Sequence, residues 1–197
     1  MAHLSPLPAD TTPELKDDFA IFIDILGFVP NSLLTMQRRP QIVKGFAELT
    51  KAVMAPDGTV DRGFKRVLAH FASRAAGCQY CEAHSLIAAG LHGVSDEKIA
   101  DVWNYQTSPH YSDAERVALD YALAAGSVPN QVDDALMTRM KQHWDDDQIV
   151  EILAAVSLYG FLNRWNDSMA TELEAPPKAL GDKVLKKGGW TGGKHTT

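Results

Sequence analysis

The sequence predicts an all-α protein of roughly eight helices. Apolar residues recur at three- and four-residue spacings along almost the whole chain, which is the period of an amphipathic helix. Serine residues that commonly cap helices precede two of these segments, and glycine or proline follows several of them. No segment alternates apolar and polar residues in the manner of a strand. These observations favour one helical bundle over any mixed fold.

The first predicted helices form an N-terminal arm over about residues 1–55. In PELKDDFAIFIDILG the apolar residues follow the helical period up to Gly27, and glycine commonly ends helices. FVPNSLL is predicted to be a connector, because Pro30 and Asn31 are typical of turns. RPQIVKGFAELTKAVM predicts a further helix that begins at Pro40, and the PDGT segment ends the arm.

A helical hairpin is predicted over about residues 60–107. DRGFKRVLAHFASRAAG is amphipathic up to Gly77. CQYCEAHSLIAAGLHG then predicts a new helix that ends at Gly90 or Gly93. Ser95 is the predicted N-cap of the helix DEKIADVWNY.

A second hairpin is predicted over about residues 112–174. Ser112 and Glu115 have the spacing of a capping box. Two further helices are predicted in this hairpin, in the segments QVDDALMTRMKQHW and DDQIVEILAAVSLYGFLNRWNDSMATEL. Aligning GCQYCEAH with LNRWNDSM suggests that the two hairpins are related. The tail, residues 175–197, is predicted to be extended. The whole chain, residues 1–197, is predicted to form one domain.

Composition limits the possible functions. A chain of 197 residues can bury one sizeable core. The net charge of −6 argues against a nucleic-acid surface, which needs a basic stripe. The longest apolar run is interrupted by Glu151 and is shorter than the ~20 residues that span a bilayer. The first residues lack the basic and apolar regions of a secretory signal, so a cytoplasmic location without membrane association is predicted.

The two cysteines of the chain predict thiol chemistry. In a reducing compartment a structural disulfide is uncommon, and a closely spaced pair is more often redox-active or metal-binding. A helix that begins after Gly77 places Cys78 and Cys81 on one face, within reach of a disulfide. The helix N-terminus stabilises a thiolate, most strongly at Cys78. His84 lies three residues after Cys81, and its imidazole could accept the proton of that thiol. This neighbour favours Cys81, and not Cys78, as the thiolate.

A dithiol of this kind can reduce a peroxide without a bound cofactor. A thiolate attacks the O–O bond and becomes a sulfenic acid, and a second thiol then closes a disulfide. An external thiol must reopen that disulfide by exchange. We therefore expect a hydroperoxide substrate and an external thiol or disulfide reductant as the partners of this chain.

Three segments carry a resemblance to a known family. AAGCQYCEAHSLIAAGLHGVSDEKI resembles the motif region of the carboxymuconolactone decarboxylase superfamily, in its AhpD-like alkylhydroperoxidase branch. LGFVPNSLLTMQRRP is similar to an upstream element of that superfamily, and VSLYGFLNRWNDSMATELE is similar to its peroxidase-related members. The resemblance covers about residues 26–174. It implies a helical homotrimer or homohexamer in which Cys81 is the peroxidatic cysteine, Cys78 the resolving cysteine and His84 the relay histidine.

The chain departs from this family at two places. Two residues separate Cys81 from His84, whereas the best-known members have three. The family's upstream glutamate, twelve residues before the first cysteine, falls on Arg66. Glu82 and Glu151 are the candidates to replace that carboxylate. Tyr80, between the cysteines, could donate a hydrogen bond to the site or simply pack.

Several alternatives stay open at this level. The superfamily also contains cysteine-independent decarboxylases that act on lactones, and a non-catalytic redox-sensing oligomer would need the same disulfide. Zinc could bind the two cysteines and His84 if His70 or a second subunit supplied a fourth ligand. The cysteines could also be ordinary core residues. Asn163 and Asn166 could line the site, although a hydrogen bond between helices is the preferred interpretation.

Overall fold

The chain folds into ten α-helices, as described for residues 2–196 by a computed structural model. Eight of these helices contain eight or more residues, the number that the sequence predicts, and the described residues contain no strand. Short 3-10 helices lie at Pro13–Leu15, Val102–Asn104, Leu185–Gly188 and Gly193–His195. The α-helices are α1 Lys16–Leu26, α2 Asn31–Met36, α3 Pro40–Val53, α4 Arg62–Ala75, α5 Gln79–Leu91, α6 Asp96–Ala100, α7 Asp113–Gly126, α8 Asp134–Lys141, α9 Asp146–Met169 and α10 Ala175–Val184.

Most of the predicted helix ends are confirmed. α1 ends at Gly27, whose φ of 85° is left-handed. α3 begins at Pro40, and Ser95 caps α6 by accepting a hydrogen bond from the backbone of Lys98. The capping box of Ser112 at α7 is complete, because Glu115 bonds back to the Ser112 backbone.

Two predictions of irregular structure are wrong. The predicted connector contains α2, which starts after an extended Pro30 and buries Leu33 and Met36 against α3. The predicted extended tail starts with α10, which has prolines in its first turn. The rest of the tail folds back, so that Trp190 is buried and packs against Gly181 of α10. Long-range packing stabilises both segments, although their local sequences favour turns or coil.

The helices pack around two adjoining apolar cores. The larger core is built mainly by α4, α5, α7 and α9, and the smaller core by α1, α2, α3 and α9. α9 contains 24 residues and contributes Ile152 to the larger core and Leu158 to the smaller one. Cys81 belongs to the larger core. Phe22 and Leu33 of the smaller core line the same cavity as Cys81, so this thiol lies close to the junction of the two cores.

The two halves differ where the internal alignment pairs them. α4 and α5 are separated by Gly77, whose φ of 75° is left-handed. The aligned residues of the second half lie inside the unbroken α9. None of the helices within residues 2–196 is both long and apolar enough to cross a membrane.

Candidate active site

Both cysteines lie at the start of α5. Cys78 is the N-cap residue of the helix, in an extended conformation, and Cys81 lies in its first turn. Gly77 makes this possible, because its left-handed backbone turns the chain sharply out of α4. Both thiols are free and buried. The predicted placement of the pair at a helix N-terminus is thus confirmed.

The two thiols differ strongly in their tendency to ionise. A hydrogen bond from Cys81 lowers the pKa of Cys78 to about 6, against the opposing effect of burial, and His195 lowers it further. Burial raises the pKa of Cys81 well above that of a free thiol, and the neighbouring Cys78 adds to this increase. This order is opposite to the expectation that His84 makes Cys81 the readily ionised thiol. The resting pair is a Cys78 thiolate that accepts a hydrogen bond from a Cys81 thiol.

The C-terminal tail supplies an imidazole to this thiolate. His195 is buried, and its Nδ1 lies 2.8 Å from the carbonyl oxygen of Thr171. Because that oxygen only accepts hydrogen bonds, Nδ1 carries a proton, and Nε2 is the nitrogen left to interact with Cys78. Asp167 also faces Nε2, with its Oδ1 at 3.7 Å. Trp190 fixes the tail on α5 by donating from Nε1 to the carbonyl of Gln79 at 2.9 Å.

Cys81 faces a small and mostly apolar cavity. The cavity has a volume of about 60 Å³ and is partly open to solvent. Cys81 lines it, whereas Cys78 is not among the described residues that do. Asn166 of α9 donates a hydrogen bond from Nδ2 to the Cys81 sulfur at 3.4 Å. Other wall residues are Phe22, Leu33, Phe46, Leu158 and Leu162.

His84 lies beside the cavity but pairs with groups other than Cys81. Its Nδ1 is 3.0 Å from the carbonyl oxygen of Tyr80, and its Nε2 is 2.8 Å from Oε2 of Glu174. The Tyr80 ring stacks on the imidazole at 3.9 Å between centroids. The carbonyl fixes a proton on Nδ1, which leaves Nε2 to pair with the carboxylate of Glu174. His84 therefore faces a carboxylate and is not a free base beside Cys81.

Glu174 is the carboxylate partner that the sequence prediction missed. Besides His84, it accepts hydrogen bonds from the Tyr80 hydroxyl, at 3.0 Å, and from the backbone N–H of Asn31. Burial alone would raise the pKa of Glu174, but His84 and the Asn31 N–H lower it below its usual value. One signal was available in the sequence. Glu174 directly precedes a helix start that contains two prolines, so it takes the N-cap position. Ser, Thr, Asp or Asn is usual at that position, and the Glu174 side chain does not cap the helix.

The two glutamates suggested as replacements for the family carboxylate lie in different surroundings. Glu82 is buried near the cysteines, and burial raises its pKa to about 7 against the opposing effect of Arg74. Glu151 is not part of the site. Although burial would raise the pKa of Glu151, its bonds to Lys65 and to Thr59 lower it to about 2. Its Oε2 lies 2.6 Å from Nζ of Lys65.

The zinc alternative gains no support from the side-chain arrangement. No group of three or more His, Cys, Asp or Glu residues within 2–196 is arranged to hold a metal ion. His70 is fully buried and directs Nδ1 to the carbonyl oxygen of Glu82, at 3.1 Å. Burial lowers the pKa of His70 to about 4, so that the ring is neutral. Its aromatic contacts with Phe71 and Trp103 are those of a core residue.

The sequence and the fold match known proteins. A sequence model described as the carboxymuconolactone decarboxylase family matches residues 40–124, which contain the cysteine pair. The protein YnjA of Escherichia coli K12, which is described as uncharacterized, is 40% identical over 93 residues. That match covers 47% of this chain and 50% of YnjA, so it spans about half the length of this curated relative.

Solved structures match over a larger part of the chain. The debrominase Bmp8 is 33% identical, and the match covers 91% of this chain and 96% of Bmp8. The TM-score is 0.86 for its apo form and 0.87 for a cysteine-to-alanine variant in complex with 2,3,4-tribromopyrrole. An uncharacterized peroxidase-related protein with an AhpD core, from Ralstonia eutropha JMP134, is 24% identical, with a TM-score of 0.70. That match covers 90% of this chain and 96% of the Ralstonia protein, and it supports the AhpD-like fold alone.

Proposed function

We propose, from the premise that this chain belongs to the carboxymuconolactone decarboxylase superfamily and has the AhpD-like fold, that it is a thiol-dependent peroxidase. Members of this superfamily include enzymes, and the family-level role is that of a peroxidase or a decarboxylase-type enzyme. One observation carries the finer proposal: a Cys78 thiolate is hydrogen-bonded to a Cys81 thiol that faces a mostly apolar cavity. Such a dithiol is suited to two-electron reduction.

The cavity favours an organic hydroperoxide as the substrate. Its wall next to Cys81 is mostly aromatic and aliphatic, with Phe22, Leu33 and Phe46 among its residues. An alkyl or aryl group gains free energy when it moves from water to such a wall, whereas hydrogen peroxide does not. We therefore propose alkyl hydroperoxides as better substrates than hydrogen peroxide.

The first step transfers an oxygen atom to Cys81. The Cys81 proton passes to the Cys78 thiolate along their hydrogen bond, and the Cys81 sulfur attacks the terminal oxygen of the hydroperoxide. The S–O bond forms as the O–O bond breaks, and the departing alkoxide takes the proton of His84 to become an alcohol. Asn166 holds the sulfur in place through its amide. The enzyme is left with a sulfenic acid on Cys81 and a thiol on Cys78.

The second step forms the disulfide. Cys78 attacks the Cys81 sulfenic sulfur, the S–S bond forms, and the departing hydroxide combines with the Cys78 proton to give water. His195 Nε2 is the group beside Cys78 that can take and pass on that proton. An external dithiol then reduces the disulfide by exchange and is itself oxidised.

Reductive dehalogenation is a second candidate, favoured by the 33% identity with a debrominase over nearly the whole of both chains. The Cys81 sulfur would attack the halogen of a haloarene, the carbon would keep the electron pair of the broken bond, and His84 would protonate that carbon. Cys78 would then displace halide from the Cys81 sulfur to form the same disulfide. The net reaction consumes two thiols and releases the reduced arene and a hydrogen halide.

One experiment separates these reactions. Purified protein is supplied with dithiothreitol and, in turn, with cumene hydroperoxide, hydrogen peroxide and 2,3,4-tribromopyrrole, and loss of peroxide and release of bromide are measured. We expect the fastest turnover with cumene hydroperoxide. Bromide release without peroxide consumption would establish the second candidate instead.

The two cysteine variants test the assigned roles in the same assay. Cys81→Ser is expected to abolish turnover, and Cys78→Ser to leave a sulfenic acid on Cys81 that dimedone traps. A dimedone adduct on Cys78 in the Cys81→Ser variant would reverse the two roles. The cysteine-independent alternative needs a separate assay of decarboxylation with a carboxymuconolactone, and full activity of both variants there would establish it. Stoichiometric disulfide formation by the wild type without turnover would establish the sensor. The homotrimer or homohexamer stays a prediction that light scattering can test.

A further inference from the structure

Arg66 is a buried cation without an anionic partner. The residue is 1% exposed, and Nη1 donates to the carbonyl oxygen of Arg62 at 2.7 Å. Nη2 is buried and has no hydrogen-bond partner. Among residues 2–196, no carboxylate lies within salt-bridge distance of this guanidinium. Burial lowers the pKa of Arg66 to about 10, so the group still carries its charge at neutral pH.

This unpaired cation lines the same cavity as Cys81. Thr50, also buried, lines the cavity as well, and its hydroxyl oxygen has no hydrogen-bond partner. Two polar groups with unused donors therefore share a cavity whose remaining wall is mostly apolar. Burying an unpaired cation is costly, and that cost is recovered when an anion binds to it. Arginine binds carboxylates well because its planar group offers several donors in a fixed arrangement.

We propose that this cavity binds a substrate with an apolar body and an anionic oxygen group, such as a carboxylate. The anionic oxygen accepts hydrogen bonds from Nη2 of Arg66 and from the Thr50 hydroxyl, and the apolar body contacts the surrounding wall. The electrophilic end of the molecule then faces the Cys81 sulfur. The proposal rests on the proposed function for calling this molecule a substrate, whereas the binding site itself does not depend on it.

The charge of residue 66 determines whether the cavity favours anionic ligands. Residue 66 is where the family resemblance leads one to expect a glutamate, and here Glu174 pairs with His84 from a different helix. A carboxylate at position 66 would repel an anionic substrate, whereas the guanidinium attracts one. The substitution thus changes the charge of the cavity without removing the carboxylate partner of the histidine.

Equilibrium binding of two nearly isosteric probes tests this site. Benzoate and benzamide have the same shape, but only benzoate is an anion at neutral pH. Their binding to the reduced protein is measured by calorimetry for the wild type, Arg66→Met, Arg66→Lys and Arg62→Met. Arg62→Met is the matched control, since Arg62 belongs to the same helix but does not line the cavity. No turnover is involved, so binding can succeed even if the proposed reaction fails.

The expected result is a preference for benzoate that depends on residue 66. A charge-assisted hydrogen bond corresponds to about tenfold to hundredfold in affinity, and the wild type should prefer benzoate over benzamide by this factor. Arg66→Met should lose the preference, Arg66→Lys should keep part of it, and Arg62→Met should keep it fully. Thermal melts show which variants are folded, and if Arg66→Met is not, Arg66→Lys decides. Equal binding of the probes to the wild type, no measurable benzoate binding, or a preference that survives Arg66→Met would overturn the proposal.

Discussion

His84 Nε2 lies 2.8 Å from Oε2 of Glu174. This contact connects α5, the helix that begins at the cysteine pair, to the residue that directly precedes α10. The two residues are ninety positions apart in the sequence, and both side chains are largely buried. Tyr80 completes the arrangement, since its ring stacks on the imidazole and its hydroxyl donates to the same carboxylate. The C-terminal region is therefore part of the candidate active site, although the matched family model ends at residue 124.

Replacing Glu174 with glutamine should reduce turnover while the protein stays folded. Glutamine can still accept a hydrogen bond from Tyr80, but it has no negative charge to pair with Nε2 of His84. Loss of a proton donor typically costs about 10²–10⁴-fold, and we expect the lower end of this range in kcat because water can replace the donor. Steady-state kinetics with cumene hydroperoxide measure the effect. The exposed Glu14→Gln is the control, and an unchanged kcat in Glu174→Gln would show that His84 does not act as an acid.

Replacing His195 with asparagine should raise the pKa of Cys78. The asparagine amide can still donate to the Thr171 carbonyl, but it has no counterpart of the Nε2 that faces Cys78. The hydrogen bond from Cys81 is the main cause of the lowered pKa of Cys78, and the imidazole lowers that pKa further, so removal of the imidazole should move the titration to higher pH. Thiolate absorbance against pH is measured in a Cys81→Ser background, where the serine hydroxyl can still donate to Cys78. His143→Asn, an exposed site, is the control, and an unmoved midpoint would limit His195 to a structural role.

Replacing Asn166 with alanine should slow the reaction of Cys81 with substrate. The amide donates to the Cys81 sulfur at 3.4 Å, and it favours the ionised form of that thiol against burial. One hydrogen bond is worth about 1 kcal/mol, so we expect about a fivefold fall in the rate of sulfenic acid formation. The rate is followed by stopped-flow fluorescence with cumene hydroperoxide. Asn163→Ala is the matched control on the same helix, because Asn163 does not line the cavity. Equal effects of the two substitutions would contradict the assignment.

Replacing Glu151 with glutamine should lower stability and leave the chemistry unchanged. Its partner Lys65 has a 2% exposed side chain, so the substitution leaves a buried ammonium group without an anion. Breaking a buried ion pair typically costs about 3–5 kcal/mol, and we expect somewhat less here because Glu151 is partly exposed and Lys65 also bonds to the Val53 carbonyl. Urea unfolding measures the loss, and the turnover of the folded variant is measured beside it.

The same carboxylate makes stability depend on pH in acid. Folding lowers the pKa of Glu151 to about 2, so its contribution is complete above the unfolded value near 4.5. The contribution is lost progressively as the pH falls from that value toward about 2. Wild type should therefore lose more stability than Glu151→Gln across this range, and parallel curves for the two proteins would refute the prediction.

The sequence by itself determined the helical architecture and the position of the cysteine pair. Three kinds of signal depend only on residues close to them in the sequence: the helical period of apolar residues, the capping box at Ser112, and the helix ends at Gly27 and Gly77. These signals can therefore be interpreted without the tertiary structure. The same local signals placed Cys78 and Cys81 at a helix start. They failed at Asn31–Met36 and at Ala175–Val184, where contacts with distant residues stabilise helices that the local sequence does not favour.

Only the tertiary structure decided which groups surround the two sulfur atoms and which sulfur ionises. Glu174 and His195 reach α5 from the C-terminal region, and no sequence spacing predicts such long-range contacts. The helix-end argument favoured Cys78 as the thiolate and the His84 argument favoured Cys81, and neither could include burial. Burial disfavours the charged form of both thiols, and packing alone sets its size. The hydrogen bond from Cys81, with a further contribution from His195, lowers the pKa of Cys78 against burial, so Cys78 ionises while Cys81 remains a thiol.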